Sequence, residues 1–205
     1  MSYMHIENLY KNQTILLFKE CFALEKIHGT SAHISWNEQG LKFFSGAASQ
    51  GVFEALFEKE KLKDAFKALE HPVVTVYGEA YGGGGASGQH MKATYGDKLK
   101  FIAFEVKVGD AWLNVENAAD VCQKLGVEFV YWEKTSTELT ALDALREKPS
   151  VQAQRNGCGS DKRSEGIVLR PPFEVTLNNG GRLIAKHKRP EFAERATTPV
   201  DPTKA

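Results

Sequence analysis

The sequence predicts an α+β fold with largely antiparallel sheets flanked by helices. Three observations carry that reading: short β-branched and aromatic runs paired across Gly- or Asn-containing turns, helical periodicity confined to a few stretches, and no regular strand–helix alternation of the doubly wound kind. At 205 residues the length suits one domain, or a compact two-lobed unit, that can bury a substantial core. There is no internal repeat. The domain is expected over residues 1–195, with 196–205 a disordered Thr-, Pro- and Lys-containing tail.

Cys21-Phe22-Ala23-Leu24-Glu25-Lys26 reads as a strand that delivers Lys26 to a Gly-containing turn. His33-Ile34-Ser35-Trp36 and Leu41-Lys42-Phe43-Phe44 read as a hairpin about Asn37-Glu38-Gln39-Gly40. Residues 52–69 place Val52, Leu56, Leu62, Phe66 and Leu69 near helical period, so one amphipathic helix ending at His71-Pro72 is expected, its mixed charges facing solvent. Residues 73–81 should form a strand that leaves Glu79 near its end, before the glycine run at 82–88, a candidate flap; no Gly-Lys-Ser/Thr follows, which excludes a P-loop. A strand at 99–108 turns at Gly109-Asp110 into Trp112-Leu113, and helices at 115–125 and 137–147 flank a short strand at 127–132. Residues 149–164 read as a polar, mobile connection. Strands are expected at 165–170, 173–177 and 182–188, the last two joined by Asn178-Asn179-Gly180-Gly181.

Lys plus Arg (26) equals Asp plus Glu (26), so contact with nucleic acid must come from a local basic patch and not from net charge. Cys21, Cys122 and Cys158 are widely spaced and form no Cys-x-x-Cys pair, which points to a reducing compartment. The first residues lack a signal peptide's basic start and apolar stretch, and no apolar run is long enough to span a bilayer. A soluble, cytoplasmic protein is expected.

Five segments occur in a telling order: Glu25-Lys26-Ile27-His28-Gly29-Thr30; Tyr77-Gly78-Glu79-Ala80-Tyr81-Gly82; Phe101-Ile102-Ala103-Phe104-Glu105-Val106; Glu165-Gly166; and Lys186-His187-Lys188. A lone Lys-x-x-Gly carries little information, because surface lysine beside glycine is common. The ordered series, across roughly residues 22–190, resembles the nucleotidyltransferase motifs of polynucleotide ligases and RNA capping enzymes. Its Lys-x-His-Gly-Thr form resembles the phage-type RNA ligase 2 family. The resemblance implies a nucleotidyltransferase (adenylyltransferase) domain and an ATP-dependent RNA ligase. Lys26 would attack ATP to form lysyl-AMP, pass AMP to an RNA 5′-phosphate and allow a 3′-OH to displace it, with Mg²⁺ or Mn²⁺ as the metal.

The same resemblance distributes the remaining roles. His28 would assist departure of pyrophosphate, and Lys188 would bind the nucleotide phosphate with Lys186 beside it. Glu25 would read the adenine amino group, with Ile27 and Gly29 bordering the nucleotide. Glu79 would meet the ribose, Phe104 would stack on the purine, and Arg170 would stand where the family usually has lysine. Glu165 would ligate the metal, with Glu105 supporting it or its waters. Physical chemistry agrees in part. A lysine attacks phosphorus only as the neutral amine, and at ordinary lysine basicity about one in 2,500 is neutral at pH 7, so a crowd of like charges from Lys186, Lys188 and a metal would help. Strand alternation puts Lys186 and Lys188 on one face and His187 on the other. Magnesium favours one or two carboxylates plus water and phosphate oxygens.

Other readings of the residues stand beside these. Phe104 in an alternating strand also suits a core position, His28 also suits a structural turn, and Lys186/Lys188 also suit an exposed basic strand. The chain departs from the family pattern at Ser31, where Asn is usual, and at Ser45-Gly46-Ala47-Ala48-Ser49, where an arginine is usual; the first arginine is Arg146. The resemblance implies that the family arginine helps hold the phosphate and the 3′-OH end, so its absence bears on phosphodiester closure more than on lysine adenylation. Only a short segment follows Lys188, so an appended OB-fold is not expected, and RNA would be held by the active-site surface or by a partner protein. The alternatives are a DNA-nick or capping-type nucleotidyltransferase, and a non-catalytic nucleotide- or RNA-binding module.

Overall fold

A computed structural model describes residues 3–46, 48–84 and 89–192, without the side chains of 89 and 90. Two five-stranded sheets form the frame. The first has the order β1 (Glu7–Asn8), β10 (Ala185–Lys188), β9 (Gly166–Arg170), β2 (Glu20–Lys26) and β8 (Trp132–Ser136). The second has the order β4 (Gly40–Ser45), β3 (Thr30–Asn37), β5 (Val74–Tyr81), β6 (Lys100–Val108) and β7 (Ala111–Trp112). All pairings are antiparallel except β1 with β10, as expected for hairpin-rich sequence. No helix among the described residues is long and apolar enough to cross a membrane.

Alternating side chains assign each sheet face to a different core. One face of the second sheet supplies Ala32, Ile34, Val74, Val76, Ala103 and Val106, which pack with Phe53, Phe66 and Ala118. These last three come from α1 (Gln50–Glu54), α2 (Lys59–Ala68) and α4 (Val115–Lys124). Cys21 and Ala23 of β2 face outward onto Leu142 of α5 (Leu139–Arg146). Phe22 and Leu24 face inward with Tyr81, Ile102 and Val130. The candidate site residues lie at this inward layer.

Four segments differ from expectation. The single helix at 52–69 is two helices, because Phe53 and Phe57 both pack on Phe43 and Phe101. Val52 and Leu56, which carried the apparent period, are exposed. Residues 127–131 make only a bridge from Phe129 to Ala103, and the strand begins at Trp132, where it pairs with β2. The hairpin about Asn178-Asn179-Gly180-Gly181 is present as a turn with a single Thr176–Arg182 bridge. Leu183 and Ile184 are both buried, which breaks strand alternation there. The expected connection at 149–164 contains α6 (Val151–Arg155), capped by Ser150, whose hydroxyl accepts from the Ala153 amide.

The structure also adds α3 (Gln89–Tyr95), and short 3-10 helices at Thr14–Leu17 and Pro190–Phe192. Gly82 to Gly84 close against residues 96–99. The rest of the expected glycine flap, 85–88, lies outside the described residues, as does the expected tail.

Candidate active site

Gly166 organises the site. In β9 it is paired on one side with Lys26 of β2 and on the other with Lys188 of β10. The two lysine backbones therefore stand two strand spacings, roughly 10 Å, apart. Their long side chains converge on Glu165: Lys26 Nζ lies 2.6 Å from Oε2 and Lys188 Nζ 2.6 Å from Oε1. Gly166 has φ +138°, and a Cβ there would stand 2.3 Å from the His187 carbonyl oxygen. Only glycine lets β9 pass this closely between its neighbours.

The next rung, Lys186–Val168–Leu24, faces the same way. It contributes to a cavity of about 380 Å³, within the range of small-molecule sites. Lys26, Ile27, Glu79, Phe104, Arg170 and Lys186 are among its lining residues, as are Glu25 and Glu105. Alternation holds for the basic pair: Lys186 lines the cavity and Lys188 meets Glu165, whereas His187 turns away to Asp143 and Arg146.

Glu79 is set by the motif turn. Gly29 comes so close to β5 that a Cβ would meet the Ala80 carbonyl oxygen at 2.5 Å. Burial pushes the Glu79 carboxyl up to about 7, with Lys26 opposing the rise and Glu165 adding to it. Ser31 is paired with Glu79 and lines the cavity; its buried hydroxyl has no partner among the described residues. His28 lies outside the cavity lining, with its ring edge-on to Phe192 at 5.4 Å and its amide donating to the Tyr95 hydroxyl.

Phe104 and Glu105 share a face because of a β-bulge. Tyr77 pairs with Glu105 and the next residue, Gly78, with Ala103, so Phe104 has no partner on β5. An extra residue reverses the in–out parity of a strand. The bulge turns both side chains toward the cavity while Ala103 and Val106 remain in the helix-covered core.

Several expected environments are corrected. Glu105 does not stand open to a metal: Oε1 accepts from Arg182 and is ion-paired with Arg170 at 2.9 Å, and Oε2 accepts from Arg182 and the Tyr3 hydroxyl. Three hydrogen bonds and an ion pair leave the carboxylate little lone-pair capacity for a cation. Lys26 is not simply crowded by ammonium groups, since Glu165 stands between it and Lys188. Burial acts to raise the Glu165 carboxyl, but Lys26 and Lys188 outweigh it and hold the group below its usual range. Glu25 accepts from the Ser150 hydroxyl at 2.5 Å and the Gln152 amide at 3.1 Å. Burial nonetheless raises its carboxyl. Arg170 donates to the Leu113 carbonyl and reaches Glu105 and Glu174, while its buried Nε and Nη1 have no partner among the described residues.

Sequence reasoning missed Tyr3, Arg182 and Ser150. Arg182 is buried between Glu105 and Glu174 and lies 4.1 Å from the Trp112 ring centre. Tyr3 packs edge-on to Phe104 at 4.9 Å. Neither position carried a local signal. Ser150 did, as an N-cap candidate before Val151-Gln152-Ala153.

The architecture is that of RNA ligases. The chain superposes on Naegleria gruberi RNA ligase with PPi at a TM-score of 0.70 and 12% identity, covering 94% of this chain and 57% of that one. An arginine-to-alanine mutant of that enzyme with ATP and Mn gives 0.69 and 13%, and a lysine-to-methionine mutant with AMP and Mn gives 0.69 and 12%; both have the same coverage. At these identities the likeness is one of fold, and the chain spans just over half the length of those proteins. A comparison with curated proteins found no significant sequence match. The RNA ligase family profile matches residues 19–188, and this chain belongs to that family.

Proposed function

We propose that this chain is an ATP-dependent RNA ligase with a nucleotidyltransferase domain and Lys26 as its covalent nucleophile. The supporting observation is the Lys26–Glu165–Lys188 bridge across Gly166, beside a cavity that presents Glu79, Phe104 and Lys186. The Lys26 amine, once it has lost a proton, bonds to the α-phosphorus of ATP as the bond to pyrophosphate breaks. Lys186 and Lys188 neutralise charge on the phosphoryl oxygens. AMP then passes to an RNA 5′-phosphate, and a 3′-OH displaces it to form the phosphodiester.

Phe104 stacks on the base, Glu79 meets the ribose, and Glu25 and Arg170 border the nucleotide. The unpartnered Arg170 nitrogens and Ser31 hydroxyl support a polar ligand in the cavity. Glu165 suits Mg²⁺ or Mn²⁺ through its oxygen donors. No cluster of three or more His, Cys, Asp or Glu residues gathers among the described residues, so a cation held there would rest on Glu165 together with water and phosphate oxygens. When bound it supplies positive charge that stabilises the phosphates.

Intact-protein mass after incubation with ATP and Mg²⁺ tests the reading. The wild type is expected to gain one AMP and Lys26→Ala none. Adduct retained in the variant would overturn the nucleophile assignment. ATP binding without adduct in the wild type would favour a binding module, and adduct only with GTP would favour capping chemistry.

A further inference from the structure

We infer that the face of the second sheet beyond the nucleotide cavity docks an unpaired RNA strand, whose bases stack on the row that starts at Phe44 and continues through His33 and Tyr77. The inference rests on the RNA-joining reading and extends it to the form of the substrate. His33 is paired with Phe44 on one side and Tyr77 on the other, which aligns three rings across adjacent strands. Ring centres are 5.0 Å apart for His33–Phe44, 5.6 Å for His33–Tyr77 and 5.3 Å for Tyr77–Trp112. Tyr3 joins this row to Phe104 at the cavity, with ring centres 5.4 Å from Tyr77 and 4.9 Å from Phe104. The row therefore runs from the candidate active site to the sheet edge at Phe44.

Exposure separates this face from the other. Phe44 is 40% exposed, and His33, Tyr77 and Trp112 are half-buried, while Ala32, Ile34, Val74 and Val76 opposite are fully buried. Past the Tyr77–Glu105 pair, away from the Glu79–Ile102 pair at the cavity, strand parity places Ser35, Asn37, Thr75, Lys42 and Lys107 beside the rings, with no carboxylate and no aliphatic side chain from the strands. Its cations are Lys42, Lys107 and Arg182: Lys107 and Arg182 lie 5.5 and 4.1 Å from the Trp112 ring centre, and Asp110 of the β6–β7 turn is 3.6 Å from Lys107. His33 Nδ1 has no partner among the described residues. A protein interface or a lipid surface would call for aliphatic contact area. Aromatic rings with cations, and one acid at the β6–β7 turn, suit a chain of bases carried on phosphates. Bases in a duplex are already stacked on one another, so these rings select an unpaired strand.

The test is fluorescence anisotropy with a short fluorescein-labelled oligoadenylate, free or annealed to its complement. Wild-type protein is expected to bind the single strand more tightly than the duplex. Phe44→Ala should weaken single-strand binding by roughly tenfold, the scale of one lost base stack, with Phe44→Tyr restoring it and Phe44→Leu not. Melting temperature shows whether each variant is folded. Equal affinity of wild type and Phe44→Ala, or rescue by Leu as well as Tyr, would overturn the proposal. So would a sedimentation-detected dimer lost in Phe44→Ala, which would make the face a self-interface. Lysyl-AMP formation in wild type without RNA is scored separately, so its failure counts against the ligase reading and not against this surface.

Discussion

Replacing Gly166 by alanine tests whether the site depends on close passage of three strands. The new Cβ would lie 2.3 Å from the His187 carbonyl oxygen and 2.9 Å from the Lys188 Cα, in a backbone with φ +138°. Holding a non-glycine residue in such a conformation costs about 1–3 kcal/mol. Forcing apart packed backbone adds roughly 1–3 kcal/mol. A total near 4 kcal/mol would lower the melting temperature of a chain this size on the order of 10 °C. Gly126→Ala is the control: φ is +68°, but no heavy atom lies within 4 Å of the added Cβ. Only the conformational cost, about 1 kcal/mol, applies there. Both variants are melted by circular dichroism, then assayed for lysine adenylation well below the transition. Gly166→Ala is expected to melt lower than Gly126→Ala and to adenylate about a hundredfold more slowly, because Lys26 and Lys188 are held through the displaced strands. Equal melting temperatures would refute the steric argument, and unchanged adenylation would refute its link to the lysines.

Arg182→Ala should cost about 3–5 kcal/mol in urea unfolding, since it removes a buried partner of Glu105 and Glu174; a loss below about 1 kcal/mol would show that Arg170 alone suffices. Glu79 gives a pH signature. Its folded-state carboxyl is raised to about 7 from an ordinary 4.5, so the folded form binds the extra proton and loses stability relative to the unfolded form as pH rises from 4.5 through 7. Glu79→Gln, which stays neutral, should therefore melt like wild type near pH 4.5 and above it at pH 8. A difference independent of pH would exclude Glu79 as the titrating group.

Much of the site was legible because its signals are local. Alternation correctly placed Lys186 and Lys188 on one face with His187 opposite, and the end of a strand beside glycine marked Lys26 and Glu79. The antiparallel α+β class followed from paired runs and turns, and the ordered motifs pointed to the family that the profile match shows. Local parity fails where the chain inserts a residue. The bulge at Phe104 turns Glu105 to the same face, and only pairing with β5 reveals it.

Long-range pairing decided the remaining electrostatics. Lys26 and Glu165 are 139 residues apart, and Tyr3 and Glu105 are 102 apart; no pattern along the chain specifies that one carboxylate separates two lysines while another is saturated by arginines. Likewise, the polar stretch around Ser150 read as loose connection until its hydroxyl and the Gln152 amide were found on Glu25. Sequence determines which groups a strand can present and on which side. Tertiary packing determines which charges meet, because a Coulomb interaction depends on separation in space and on the water excluded around it, and neither is written in chain order.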